Sequence, residues 1–432
     1  RSGSGIVTAY DLLNASENRS ASKKSSSSTT NIPRNIVTFS RAIDTLLGGG
    51  IALGEVTEIS GLPASGKTQM ATQLALMTRI PQALGGVQGQ ALYIDCEGSF
   101  IPERAFTMAQ HLAEHVQVTA KRRLLSSSQS SSSQSQTQSS TTAGSSQSVQ
   151  QQQRKQLQDA RQMTAEHLLS DVQVYRVHDE TALLATLFSL NETVKTANAN
   201  ANCSSNADDD DADDANNDTT LLPVRLIVVD SIAFHFRAVV PTDPQYYFRR
   251  TKTLTTLASY LGDLAVNYNV AVVVINQMTT KVVTTVASAA GENNQSNGNS
   301  SSSNSKVSSV VVPALGESWK HATTTRLMLG LHEYFANDDY DSDNDDEDEE
   351  QQQRQGLSSS SKNRPRRRRL VQERTCTLTK SSHLAQGTAT FQIVDAGIRD
   401  NNDVEEVRRR RRSSSQDSVA AERSSRKRRR SM

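Results

Sequence analysis

Val56-Thr57-Glu58-Ile59-Ser60-Gly61-Leu62-Pro63-Ala64-Ser65-Gly66-Lys67-Thr68 is the stretch on which the reading of this chain turns. Its last eight residues fit G-x-x-x-x-G-K-[ST], the phosphate-binding loop. Both flanks suit that motif. Val56 and Ile59 belong to a short buried strand, and Met70, Leu74 and Met77, with Ala71 and Ala75, recur at helical spacing. Gly61 and Gly66 let the backbone curl so that successive N–H groups of the loop point inward at phosphate oxygens. The helix that follows aims the positive end of its dipole at the same anion. Lys67 is placed to reach the β- and γ-phosphates of a nucleotide, and the Thr68 hydroxyl to ligate Mg²⁺.

Working outward, the 432 residues allow two or three domains by length. Composition argues for less: hydrophobic residues are 35% and aromatics 4%, so much of the chain is unable to form a core. The net charge of +1 hides segregation, with acidic blocks at 208–218 and 338–350 and basic blocks at 364–369, 408–412 and 426–430. The cysteines, Cys96, Cys203 and Cys376, show no C-x-x-C spacing, which argues against a zinc site or a disulfide framework. No apolar run approaches the ~18 residues of a membrane span, and no membrane partner is expected. The chain opens at Arg1 without an apolar signal core, which leaves room for an upstream domain.

In order, residues 1–33 hold a short amphipathic stretch around Ile6–Ala9 and then a Ser/Lys-rich linker. Ile43, Leu46 and Leu47 form a helical face that stops at Gly48-Gly49-Gly50. Strands are predicted at 91–94, 172–177, 226–229, 270–275, 326–331, 374–380 and 388–394. Helices are predicted at 102–119, 181–196, 251–266 and 317–325. Between them lie low-complexity inserts at about 120–165, 197–220, 284–309 and 336–369, and residues 401–432 form a disordered basic tail. Without the inserts about 240 residues remain, a size that one domain can hold. Continuously apolar strands alternating with helices predict an α/β fold with a mixed, mainly parallel sheet and helices on both faces, spanning 34–400.

Three strand ends add chemistry. The apolar run 226–229 closes on Asp230, a carboxylate suited to holding Mg²⁺ beside the phosphate loop. Glu97 lies just past the strand 91–94, at the sheet edge where ligands of such sheets bind, and can orient a water for attack on the γ-phosphate. Its other reading is an acid capping the next helix. Asn276-Gln277 ends a further strand before a long loop, where a neutral amide can sense a terminal phosphate; the other reading is a plain turn.

These residues resemble a family. Leu47-Gly-Gly-Gly-Ile51, the phosphate loop and Tyr93-Ile-Asp-Cys-Glu-Gly-Ser-Phe100 are similar to the RecA-type recombinases of eukaryotes and archaea. Val229-Asp-Ser-Ile-Ala-Phe-His-Phe-Arg237, Asn276-Gln-Met-Thr-Thr-Lys281 and Val312-Pro-Ala-Leu-Gly-Glu-Ser-Trp-Lys-His-Ala322 look closest to its C-type paralogue branch. The resemblance covers nearly all of the compact core and none of the inserts. It implies a RecA-like ATPase core in which Glu97 is the water-activating glutamate, Asp230 the Mg²⁺ acid, Gln277 the phosphate-sensing glutamine and Arg104 an arginine near adenine. It also implies that ATP sits between subunits, with His321 and Lys380 contacting the nucleotide of a neighbour. Lys380-Ser381-Ser382 departs from the Asp-Ser-Pro that many active recombinases carry nearby.

DNA is the implied partner, single-stranded or branched. Arg237, Arg249, Arg250 and Lys281 are placed on two loops (237–250 and 278–312) to neutralise phosphates. Tyr246, Tyr247 and Phe248 either stack on bases or anchor a helix in the core. Ile6–Ala9 resembles a segment by which one subunit docks on another, so a hetero-oligomer with other recombinase paralogues, assisting the main recombinase, is expected. The tail's basic runs read as nuclear import signals. The expected function is a DNA-dependent ATPase of homologous recombination and double-strand-break repair. A main strand-exchange recombinase and a non-hydrolysing ATP-dependent scaffold stay open.

Overall fold

The computed structural model describes residues 34–132, 160, 163–204, 222–237, 245–286, 305–337 and 368–401. The segment around Ile6–Ala9, the acidic blocks and the basic runs of the tail lie outside these.

The fold is built on one ten-stranded sheet. Its parallel centre is β3 (Val56–Gly61), β4 (Gln90–Asp95), β5 (Val172–Arg176), β6 (Val224–Asp230), β7 (Ala271–Val286) and β9 (Thr325–Asn337). The order is β9-β3-β7-β6-β4-β5, so the chain leaves β3 and re-enters the sheet three strands away, at β4. Such reversals open a crevice at the carboxyl ends of the strands. The antiparallel strands β10 (Arg368–Lys380), β11 (Gly387–Val394) and β12 (Gly397–Arg399) extend the β9 side, and β8 (Ser305–Pro313) pairs antiparallel with β7. A separate small pairing joins β1 (Asn35–Ile36) to β2 (Ile51–Ala52).

Alternation along the strands makes two cores. Ala91, Tyr93, Val273 and Ile275 face one side; Leu92, Ile94, Val272 and Val274 face the other. The first face is covered by α1 (Arg41–Leu46), α2 (Lys67–Met77), α3 (Pro102–Ser132) and α4 (Ala165–Ser170). The second is covered by α5 (Glu180–Ser204), α6 (Ala233–Arg237), α7 (Tyr246–Tyr268) and α8 (Gly316–Ala322), with Trp319 buried at its centre. α2 is enclosed, with every side chain from Met70 to Met77 buried. Its buried polar residue Gln73 is hydrogen-bonded, its amide donating to the Thr38 carbonyl at 2.6 Å and its oxygen accepting from Ile398 N at 2.6 Å. Among the described residues no helix is long and apolar enough to cross a membrane.

The sequence reading of a mixed, mainly parallel sheet with helices on both faces agrees with this architecture. Element ends differ, and for one reason: composition marks where a core stops, not where backbone hydrogen bonding stops. α3 runs to Ser132 instead of 119, and α5 to Ser204 instead of 196, because an established helix adds a bond for each further residue. Ala160, Met163 and Ala165 return to the core inside the stretch read as an insert from 120 to 165. The 284–309 stretch, expected to be loose, is in part a β-hairpin, with Met278 opposite Pro313 and Val286 opposite Ser305. Its Val/Thr-rich arms suit an extended backbone. β9 and β10 likewise reach Asn337 and Arg368, inside the expected 336–369 insert. β12 follows the strand expected to be last, and α7 starts at Tyr246 rather than 251.

A buried ion pair ties the middle of the sheet together. Glu58 of β3 is 0% exposed, and Arg326 of β9 meets its Oε2 at 2.7 Å. The Asn276 amide of β7 donates to Oε1 at 2.8 Å. Asn276 is thus spent on holding three strands in register, and only Gln277 of the Asn276-Gln277 pair faces the site. Arg326→Met leaves the Glu58 carboxylate buried without its cation and is expected to cost about 3–5 kcal/mol of unfolding free energy, read by urea denaturation. A loss under about 1 kcal/mol would show that water reaches Glu58.

Candidate nucleotide-binding site

The parallel register assembles this site. Gly61 pairs with Gln277 across β3 and β7, and Asp95 with Asp230 across β4 and β6. Residues far apart in the chain therefore reach one edge of the sheet side by side. Gly66 caps α2 in the left-handed region at φ +104°, and a Cβ there would lie 2.6 Å from Ile393 Cδ1. Only glycine fits. Within the loop Leu62, Pro63 and Ala64 are exposed, whereas the Ser65 hydroxyl is buried without a hydrogen-bond partner.

Lys67 Nζ donates to the carbonyls of Gly61 and Leu62, each at 2.9 Å, so the ammonium arches over the loop. Partial burial lowers its pKa, against the opposing pull of the Asp230 and Glu97 carboxylates. Thr68 Oγ1 donates to Asp230 Oδ2 at 2.8 Å. Tyr93 Oη donates to the same oxygen at 2.8 Å and Ser99 Oγ at 3.1 Å. Burial raises the Asp230 pKa, while the hydroxyls of Tyr93, Thr68 and Ser99 favour its ionised form. A hydroxyl and an ionised carboxylate, both hard oxygen donors beside a phosphate cradle, fit Mg²⁺. Glu97 is exposed at the mouth, and its Oε1 accepts from both Ser231 Oγ and Gln277 Nε2. Lys67, Thr68, Glu97, Asp230 and Gln277 thus stand together.

Other expected residues lie apart. Arg104 donates from Nε to Gln69 Oε1 at 2.8 Å, and from its terminal nitrogens to the carbonyls of Asp395 and Val394 at 2.7 and 2.6 Å. Its guanidinium is fixed at the rim, joining α3 to the β11–β12 turn. Lys380 pairs in register with Arg326, itself opposite Glu58, upstream of the loop on β3. Its Nζ donates to the carbonyls of Lys320, His321 and Thr323 at the end of α8, and the His321 side chain is exposed. None of these contacts is with the phosphate loop of its own chain.

Of the residues expected to meet DNA, Arg249 is exposed and Arg250 donates to the Ala314 carbonyl at 3.2 Å. Lys281 is exposed on β7, opposite Val310. Arg237 closes α6, and its side chain lies outside the described residues. Tyr247 and Phe248 are 62% and 73% exposed, so they do not anchor α7 in the core; Tyr246 is partly buried, and its hydroxyl donates to the Phe236 carbonyl at 3.4 Å. Sequence reasoning passed over Tyr93 and Ser99. A tyrosine inside an apolar strand looks like core, and only the register shows its hydroxyl reaching Asp230.

A sheet whose strand ends surround a glycine-bounded phosphate loop, with an amide on the neighbouring strand and a carboxylate on the next, defines a RecA-like, phosphate-loop protein. Within that class the chain belongs to the Rad51 family, whose profile matches residues 34–143. It is 30% identical over 365 residues to DNA repair protein RAD51 homolog 3 of Cricetulus griseus, which covers 84% of this chain and 68% of that relative. It is 34% identical over 295 residues to the homolog 3 protein of Dictyostelium discoideum, covering 68% of this chain and 57% of that relative. DNA repair protein RAD51 of Saccharomyces cerevisiae is 45% identical over 75 residues, 17% of this chain and 19% of that protein. The resemblance to the C-type paralogue branch agrees with these matches.

Tyr93→Phe removes one hydroxyl and no packing volume. The Mg²⁺ concentration for half-maximal binding of a fluorescent ATP analogue is expected to rise about tenfold, the effect of losing one hydrogen bond to a charged acceptor. Unchanged Mg²⁺ dependence would show that Thr68 and Ser99 hold Asp230 unaided.

Proposed function

We propose that this chain is an ATP-binding, DNA-dependent ATPase of homologous recombination and double-strand-break repair. It acts as a nuclear recombinase paralogue, assembling with partner paralogues on single-stranded or branched DNA to assist the main recombinase. The observation that carries this reading is the cluster of Lys67, Thr68, Asp230, Glu97 and Gln277 around the loop after β3.

Bound Mg²⁺·ATP supplies the electrophilic γ-phosphorus and the charge that stabilises its transfer. Lys67 neutralises the terminal phosphates. Thr68 and Asp230 hold the cation, with Tyr93 and Ser99 orienting Asp230. Glu97 orients the attacking water. Gln277, tied to Glu97, exchanges that bond for one to the γ-phosphate, so nucleotide state reaches the β7–β8 hairpin. Arg104 borders the adenine. His321 and Lys380 complete the site of a neighbouring subunit; ATP then favours the assembled form. Arg237, Arg249, Arg250 and Lys281 meet DNA phosphates, and exposed Tyr247 and Phe248 stack on bases.

Lys67→Ala is expected to abolish nucleotide binding, whereas Glu97→Gln keeps it and slows single-turnover hydrolysis by about a hundredfold or more. Unchanged affinity in the first, or unchanged turnover in the second, removes that residue from its role. DNA affinity, measured by anisotropy on a single-stranded oligonucleotide, is expected to fall steeply with salt, and the slope to flatten by about one in Arg249→Ala. A salt-independent affinity would rule out phosphate contacts as the basis of binding.

A further inference from the structure

Asp95 closes β4 just before the loop that carries Glu97, and it is 0% exposed. Its carboxylate works as a clamp on that loop. Oδ1 accepts from the backbone N–H groups of Gly98 at 2.8 Å and Ser99 at 3.0 Å, and Oδ2 accepts from Phe100 N at 3.4 Å. The charge on Asp95 is met by Arg176, its register partner across β4 and β5, whose terminal nitrogen lies 3.0 Å from Oδ2. Arg176 also packs over the loop. Gly98 has φ +75°, and a Cβ there would sit 1.9 Å from the Arg176 guanidinium. The guanidinium therefore fills the space of the missing side chain and closes the turn from outside. The same loop places Ser99 Oγ on Asp230 and leaves Glu97 facing Gln277 and Ser231.

From this we infer that Arg176, on the edge strand of the sheet, is a positioning residue for the reaction: through Asp95 and Gly98 it fixes the 97–100 loop, and with it the Glu97 carboxylate. The inference deepens the proposed ATPase and rests on it for its catalytic consequence. The physics is that of a charge-assisted clamp. A buried carboxylate that keeps its cation holds its remaining acceptor sites on the loop amides; one that loses it is better solvated by opening. Arg176 is 52% exposed, so it can be replaced without leaving a hole in the core. Because β5 is the last strand of the sheet, whatever pairs with or covers that edge acts on a residue that touches the catalytic loop.

The test uses the full chain with Arg176→Gln, Arg176→Lys, and Arg176→Gln combined with Glu97→Gln. In Arg176→Gln, amide hydrogen exchange across 98–100 is expected to quicken about tenfold while the rest of the sheet keeps its protection. Turnover of Mg²⁺·ATP is expected to fall about tenfold with nucleotide affinity held within about twofold, as a displaced catalytic group requires. Arg176→Lys, which keeps the charge, restores most of both. In the Glu97→Gln background the Arg176 replacement adds no further loss, because both act through one carboxylate. Wild-type protection at 98–100, or a full additional loss in the double variant, overturns the inference. The exchange readout needs no hydrolysis. Faster exchange in a chain whose wild type hydrolyses no ATP would support the clamp and sink the ATPase reading instead.

Discussion

Everything at the nucleotide site depends on the register of four parallel strands. Gly61 lies opposite Gln277 and Asp95 opposite Asp230, so the carboxyl ends of β3, β7, β6 and β4 deliver a loop, an amide and two carboxylates to one edge. Side-chain period in a strand is two, so a slip of one residue in any pair would turn Tyr93 or Ile275 to the other face. The buried Glu58–Arg326 pair with Asn276 guards against such a slip, since both Glu58 carboxylate oxygens meet their donors in one alignment of β7, β3 and β9.

The site has two layers of polar residues. Lys67, Thr68, Glu97, Asp230 and Gln277 line it. Behind them Tyr93 and Ser99 hold Asp230, Ser231 holds Glu97, and Asp95 with Arg176 holds the loop between. The inner carboxylates differ in environment. Asp230 is buried and braced by hydroxyls, as suits a fixed metal ligand, while Glu97 stands exposed between two donors, as suits a group that must meet water. Cys96, between two acids and buried, has its thiol pushed up to about 12 and is inert packing.

Two further surfaces follow from the same sheet. The hairpin of β7 and β8 leaves the site directly after Gln277 and bears Lys281. On the β9 side Lys380 binds the last carbonyls of α8, a favourable place for a cation at a helix end.

The sequence by itself determined the chemistry. The spacing of Gly61, Gly66, Lys67 and Thr68 specifies a phosphate cradle, because glycine's backbone freedom and the lysine charge are local properties. Apolar strands ending in Asp230 and Gln277 were legible for the same reason, as was the α/β class. Composition also marked the polar stretches, although it placed their edges too far into α3, the β7–β8 hairpin and the β9–β10 ribbon, since hydrogen bonding continues past the core. Tertiary structure alone decided which polar residues support which. Tyr93 reads as core, Arg176 as an edge-strand charge and Asn276 as the equal of Gln277, until strand pairing puts a hydroxyl on Asp230, a guanidinium on Asp95 and an amide on Glu58. Those contacts join residues from 81 to 218 positions apart, and no local pattern encodes them, because they exist only once the sheet order is set.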